Sequence, residues 1–339
     1  MSENCEFKYT DYKNDLRVRW CPGCGDHAIL NAVQKAMASL GVEPHNVAVI
    51  SGIGCSSRFP YYMNTYGFHT IHGRASAVAS GVKVANPNLH VWQITGDGDA
   101  LAIGGNHFIH LIRRNIDINV ILFNNQIYGL TKGQYSPTSK RGFISKTSPF
   151  GTVEDPFRPG QLALGARSQF FARTIDKEIK LSVAVMEEAA KHRGASIVEV
   201  LQNCVIYNDN THEAITDKKH KADRTIILKH GEKMIFGAEK NKGLVMDEDH
   251  NLKAVTIGEA GYTLEDILVH DAESYHVSMH RKLSNMEYPE LPVALGVIRS
   301  VKGVSYDESV NDQLEQIQAQ TSVHTFEELV NSGDVWEVK

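Results

Sequence analysis

Residues 91–130 read VWQITGDGDALAIGGNHFIHLIRRNIDINVILFNNQIYGL, and the reading of this stretch decides the fold. Two short apolar runs rich in β-branched residues, VWQIT (91–95) and INVILF (118–123), flank Leu101–Arg114, where apolar residues return at helical spacing. A strand, a helix and a second strand, each strand apolar throughout, make a parallel βαβ unit buried on both faces. The alternation continues outward. VAVIS (47–51) and SIVEVL (196–201) are strands of the same kind. Ala75–Ala85 and Lys177–Lys191 are predicted helices, and from Cys24 to Leu40 helical periodicity runs through Ile29, Leu30, Val33, Ala36 and Met37. The predicted class is α/β, a mostly parallel sheet with helices on both faces. Ligands of such sheets collect beyond the carboxyl ends of the strands, so chemistry is expected in the segments that follow them.

The chain has 339 residues, 42% hydrophobic and 22% charged, with 35 Lys and Arg against 40 Asp and Glu, a formal charge of −5. That balance excludes nucleic-acid binding through bulk positive charge. No run of 18 apolar residues predicts a membrane span, and the opening MSENCE has neither the basic segment nor the apolar core of a secretory signal. A cytoplasmic protein with reduced thiols is expected. Residues 1–20 read as a polar arm, 21–208 as the cofactor-binding domain, and 209–339 as an accessory region packing on that domain or on another subunit. Within the last of these, 209–250 is charge-rich and weakly periodic, and a helix-like stretch runs from Thr263 to about Met286. The long segment Gln134–Arg167, with Pro137, Pro149, Pro156 and Pro159, is expected to be a lid or a partner contact.

After VWQIT comes Gly96-Asp97-Gly98-Asp99, and after INVILF comes Asn124-Asn125-Gln126-Ile127. Taken separately, each is more often a tight turn. Twenty-five residues lie between Gly98 and Asn124, enough for one crossover helix and one strand, so Asp97 and Asn125 would stand at neighbouring strand ends. A carboxylate, an amide oxygen and a backbone carbonyl make a hard-oxygen half-shell for Mg²⁺ that two phosphate oxygens complete. The helix beginning near Leu101 would aim its N–H groups at a diphosphate.

Five cysteines are present, and Cys21 and Cys24 form a C-x₂-C with Pro and Gly inside it. Cys55 follows the first strand and Cys204 the last core strand, so the four could meet at one centre. Four thiolates suit Zn²⁺ or a [4Fe–4S] cluster. A redox C-x₂-C pair with Cys55 and Cys204 as buried free thiols is the plainer alternative.

GDG followed by NN resembles the thiamine-diphosphate enzymes, which implies Mg²⁺ on the side chains of Asp97 and Asn125 and the Ile127 carbonyl. WCPGCG (20–25), GIGCSS (52–57), HGRA (72–75), GDGDALAIGGNH (96–107) and NNQIYGLTKGQYSPT (124–138) together resemble the β subunits of 2-oxoacid:ferredoxin oxidoreductases over about residues 17–205. The resemblance implies a [4Fe–4S] cluster on Cys21, Cys24, Cys55 and Cys204, with Cys5 a bystander. It further implies thiamine contacts from Ile53, Gly54, Cys55 and Ser56, and a reach from His72 toward the diphosphate. Gly98 and Asp99 would meet the diphosphate through backbone and side chain, and Gly129 and Leu130 would flank the thiazolium or the substrate. The implied reaction is reversible oxidative decarboxylation of a 2-oxoacid with coenzyme A, electrons leaving through the cluster to ferredoxin. No second βαβ series follows residue 209, so an α subunit is expected to supply the pyrimidine-binding domain, the catalytic Glu and most of the coenzyme A site, in an (αβ)₂ heterotetramer. Pyruvate-type members differ at Leu130 and at Lys132-Gly133. Lys132 and Arg58 are therefore candidate partners for the distal carboxylate of 2-oxoglutarate. A broad 2-oxoacid range, a pyruvate-type enzyme and a non-redox thiamine-dependent decarboxylase subunit are the alternatives.

Overall fold

The computed structural model describes residues 7–338, so Cys5 lies outside the described residues. Its strands are β1 (Val47–Ser51), β2 (Tyr66–His69), β3 (His90–Gly96), β4 (Asn119–Asn124), β5 (Phe170–Ile175), β6 (Ser196–Leu201), β7 (Thr225–Leu228), β8 (Ile235–Phe236), β9 (Lys242–Met246), β10 (Leu252–Thr256) and β11 (Val293–Ser300). Eight form one sheet in the order β2-β1-β3-β4-β6-β5-β11-β7, and β10-β9-β8 form a small second sheet. All neighbours in the large sheet are parallel except the antiparallel β11–β5 pair. β1, β4, β5 and β6 are buried at every residue, which is why they are apolar or internally paired throughout.

Side chains alternate across each strand, so each strand feeds two cores. Val120 and Leu122 join α2 (Ala75–Ala85) and the helices following β3 on one face. Ile121 and Phe123 join α1 (Asp26–Leu40) on the other. Each such fully buried side chain contributes about 1.5–3 kcal/mol. Among the described residues no helix is long and apolar enough to cross a membrane.

The expected helix Leu101–Arg114 is two helices. α3 (Asp97–Leu101) begins on the GDG motif itself, and α4 (Gly105–Arg114) follows a break at Ala102. A Cβ on Gly104 would lie 2.4 Å from the Asp99 carbonyl, so this close turn admits only glycine. The helix expected over Thr263–Met286 is also shorter. Only Ser278–Ser284 is α-helical, because Leu268 and His270 exchange backbone hydrogen bonds with Glu232, Met234 and Leu244 in extended conformation. Nor is the chain beyond 208 an appendage. β7 and β11 extend the main sheet, and Ile226, Leu228, Ala294 and Ile298 lie in its core. The arm is likewise anchored: Tyr12 is fully buried and its hydroxyl donates to the Met37 carbonyl at 3.1 Å.

Candidate active site

The order β2-β1-β3-β4 brings four carboxyl ends together, and a cleft of about 100 Å³ opens there. Ile53, Gly54, Cys55 and Ser56 enter it from β1, and His72 from the turn after β2. Asp97, Gly98 and Asp99 come from β3; Asn125, Ile127, Gly129 and Leu130 come from β4. Every residue assigned above to thiamine or magnesium therefore borders one space. Ile103, Phe123, Tyr128 and Thr131 border it too and were given no role in the sequence reading. Tyr128 explains Gly98: a Cβ there would stand 2.1 Å from the Tyr128 ring, whose hydroxyl donates to the Gly98 carbonyl at 3.2 Å.

Asp97 is buried, and burial pushes its carboxyl up to about 6 against the opposing pull of hydrogen bonds from Ser136 and Thr138. Asn125 Oδ1 accepts the Ile127 N–H at 3.1 Å, closing the turn that presents both residues. The Asp99 side chain is also a hydrogen-bond hub. Its Oδ1 accepts the N–H groups of Ile53 at 3.1 Å and Gly73 at 2.8 Å, and its Oδ2 accepts the Thr95 hydroxyl at 3.0 Å. The carboxylate ties the loops after β1 and β2 to strand β3 at the edge of the cleft.

Neither candidate substrate cation borders the cleft. Arg58 is half-buried and its Nε donates to the Tyr62 hydroxyl at 3.1 Å. Lys132 is exposed, with φ +77°, two residues past Leu130 on the loop closed by the Tyr128–Gln134 bridge.

Beside Gly129 the cysteine segments converge. A Cβ on Gly129 would lie 3.4 Å from Cys204 Sγ and 3.7 Å from Cys55 Sγ, so those sulfurs are at most about 7 Å apart. Trp20 packs edge-on against Tyr62 and donates its indole N–H to the Cys55 carbonyl at 2.6 Å, joining the C-x₂-C segment to the Cys55 loop. Gly25 N–H donates to the Asn203 carbonyl at 3.2 Å, and Gln202 Nε2 lies 3.3 Å from Cys24 Sγ. All four cysteines are free thiols. Burial, then Asp26 and the neighbouring cysteines, pushes Cys55 up to about 12, and burial drives Cys24 upward also. Thiols held neutral by burial ionise when a metal centre compensates their charge. Asp26, unmarked in the sequence, is fully enclosed beside Cys24, the side chain that acts on its carboxyl most directly. Burial and the Asp176 carboxylate raise it to about 7.

Among the described residues no three His, Cys, Asp or Glu side chains stand close enough to hold a single metal ion between them. The donor set at Asp97 does not call for such a group. One carboxylate, one amide and one carbonyl are half a shell, fitted to a Mg²⁺ ion that brings phosphate oxygens with it.

Residues 52–200 match the thiamine pyrophosphate enzyme C-terminal TPP-binding domain. With a parallel sheet and a cleft at its carboxyl edge, the molecule is a thiamine-diphosphate-binding enzyme domain. It is similar to the 2-oxoglutarate oxidoreductase subunit KorB of Mycobacterium tuberculosis, with 43% identity over 334 residues, 98% of this chain and 88% of that one. A 2-oxoglutarate synthase subunit KorB of Methanothermobacter marburgensis is 45% identical over 208 residues, 61% of this chain and 72% of that one. The fold matches a 2-oxoglutarate:ferredoxin oxidoreductase from Magnetococcus marinus, solved with 2-oxoglutarate, coenzyme A and succinyl-CoA bound. The TM-score is 0.77 and the identity 30%, covering 98% of this chain and 97% of that one. The chain belongs to the β-subunit family of the 2-oxoacid:ferredoxin oxidoreductases.

Proposed function

We propose that this chain, joined to an α subunit, oxidises 2-oxoglutarate with coenzyme A to succinyl-CoA and CO₂ and passes the electrons to ferredoxin. The carrying observation is the single cleft that gathers the strand-end residues with Cys55 on its wall. Mg²⁺ would sit on Asp97, Asn125 and the Ile127 carbonyl and hold the diphosphate. Gly98, Asp99 and His72 would complete its cradle. Thiamine diphosphate supplies the electron sink for decarboxylation. A [4Fe–4S] cluster would be held by Cys21, Cys24, Cys55 and Cys204. The thiols of Cys55 and Cys204, from two separate strand ends and both beside Gly129, support a centre held by cysteines from separate segments. Free thiols fit work in the reducing cytoplasm.

The catalytic Glu and the pyrimidine site would come from the α subunit, in an (αβ)₂ assembly. Anaerobic co-purification with that subunit tests the reading. The complex is expected to reduce ferredoxin with 2-oxoglutarate only when coenzyme A, thiamine diphosphate and Mg²⁺ are present, and the isolated β chain is expected to be inactive. Full decarboxylation by the β chain alone, or equal rates with pyruvate, would contradict it.

Lys132, exposed two residues past Leu130, would meet the distal carboxylate of an entering substrate. Lys132→Ala is expected to raise KM for 2-oxoglutarate about fivefold, the upper range of one charge-assisted hydrogen bond after solvent screening, and to leave KM for pyruvate unchanged. Steady-state kinetics with both acids decide it, and equal effects would remove Lys132 from the substrate site.

A further inference from the structure

The loop after Gly133 does more than cover the cleft. Ser136, Thr138 and Ser139 are all buried, and their three hydroxyls reach both halves of the magnesium motif. Ser136 Oγ and Thr138 Oγ1 each donate to Asp97, both to the same oxygen, Oδ2. Oδ1 is thereby left without a side-chain donor among the described residues. Ser139 Oγ donates to the Gln126 carbonyl at 2.6 Å, and also accepts the Ser136 N–H at 2.8 Å. Gln126 separates Asn125 from Ile127 and sits at φ +57°, a conformation costly for a residue with a Cβ and kept only where its surroundings enforce it. Behind the loop, Thr138 Oγ1 lies 3.0 Å from Asn124 Oδ1, and Asn124 Nδ2 donates to Glu199 at 2.7 Å. Glu199 is in turn paired with Arg173 at 2.7 Å, with both side chains buried.

We infer that Ser136, Thr138 and Ser139 are positioning residues for the magnesium–diphosphate site: two hydroxyls turn one oxygen of Asp97 away so that the other faces the ion, and the third fixes the turn carrying Asn125 and Ile127. β3 and β4 each present half of the donor set on a separate strand end. A single loop bonded to both sets their separation, and the ion pair behind Asn124 keeps the loop from yielding. The inference rests on the magnesium reading of Asp97. Hydrogen-bonded partners behind metal ligands are worth 10- to 100-fold in metal affinity.

The test uses the αβ complex stripped of metal and cofactor by a chelator, with thiamine diphosphate binding followed by tryptophan fluorescence as Mg²⁺ is added. Ser136→Ala/Thr138→Val is expected to raise the half-saturating Mg²⁺ concentration 10- to 100-fold while the melting temperature of the metal-free complex holds. Thr138→Ser, which restores the hydroxyl, is expected to return the midpoint close to the parent value. Should the double variant fail to fold, the near-isosteric Thr138→Val alone carries the prediction at about tenfold. An unchanged midpoint in a Mg²⁺-dependent parent, or Thr138→Ser as impaired as Thr138→Val, overturns the positioning role alone. A parent that binds thiamine diphosphate without regard to Mg²⁺ overturns the magnesium reading, and the positioning role with it.

Discussion

Asp97→Ala is expected to abolish thiamine diphosphate binding at Mg²⁺ concentrations that saturate the parent enzyme, and to lower 2-oxoglutarate oxidation by at least about a thousandfold. Asp97 is the only carboxylate proposed to touch the ion, and metal-borne charge stabilisation is worth several kcal/mol at about 1.4 kcal/mol per tenfold. The substitution also removes the acceptor that two buried hydroxyls, Ser136 and Thr138, share. Calorimetric titration of thiamine diphosphate into the stripped complex, beside the steady-state rate, checks both effects. The same carboxyl predicts a pH dependence. Burial holds it near 6 in the metal-free protein, so Mg²⁺ must displace a proton below that pH. Apparent Mg²⁺ affinity is therefore expected to be flat above about pH 7 and to fall about tenfold per unit below 6. An affinity that is flat through pH 5 would show that the Asp97 carboxyl is not raised by burial.

Cys24→Ser is expected to remove the broad visible absorption of the anaerobically purified complex and to take ferredoxin reduction to background, while thiamine diphosphate still binds. Cys24 stands where the C-x₂-C segment meets the end of β6, touching Gln202 and flanked by Asp26. A cluster held from three separated segments loses its closure when any one of them lets go, and a serine oxygen is a poor replacement for thiolate on iron. Cys5→Ser is expected to keep the band. Absorption spectra and iron analysis of the two variants settle the assignment. A Cys24→Ser complex with parental iron content would return Cys24 to the status of a free thiol.

The sheet was legible from periodicity wherever a strand was largely apolar, as in β1, β3 and β4, and in β6 (SIVEVL) despite Glu199. β5 (FFARTI) was not read: Arg173 and Thr174 leave only a short apolar run at its start. Arg173 is tolerated there since Glu199 on the neighbouring strand accepts its Nε at 2.7 Å, a pairing invisible until the strand order is known. β11 hid for a similar reason: it carries Arg299 and lies more than a hundred residues beyond the strand it joins. The cleft was largely readable, since glycines, a carboxylate and an asparagine at fixed separation have few other uses in such a sheet. The residues behind it were not. Ser136, Thr138 and Ser139 look like ordinary loop hydroxyls, and Asp26 like an ordinary first-turn helix acid; only packing shows what each one touches. At Asp99 the motif pointed to the diphosphate, and packing adds hydrogen bonds from the loops after β1 and β2 and from Thr95 of β3 that the sequence does not show.

The most direct measurement is an anaerobic titration of the purified αβ complex with 2-oxoglutarate and coenzyme A while the visible absorption is recorded. Reversible bleaching that requires thiamine diphosphate and Mg²⁺, restored by oxidised ferredoxin and lost in Asp97→Ala and Cys24→Ser alike, is the predicted result. A complex that consumes 2-oxoglutarate with no visible band to bleach would contradict the placement of an electron acceptor beside the thiamine cleft.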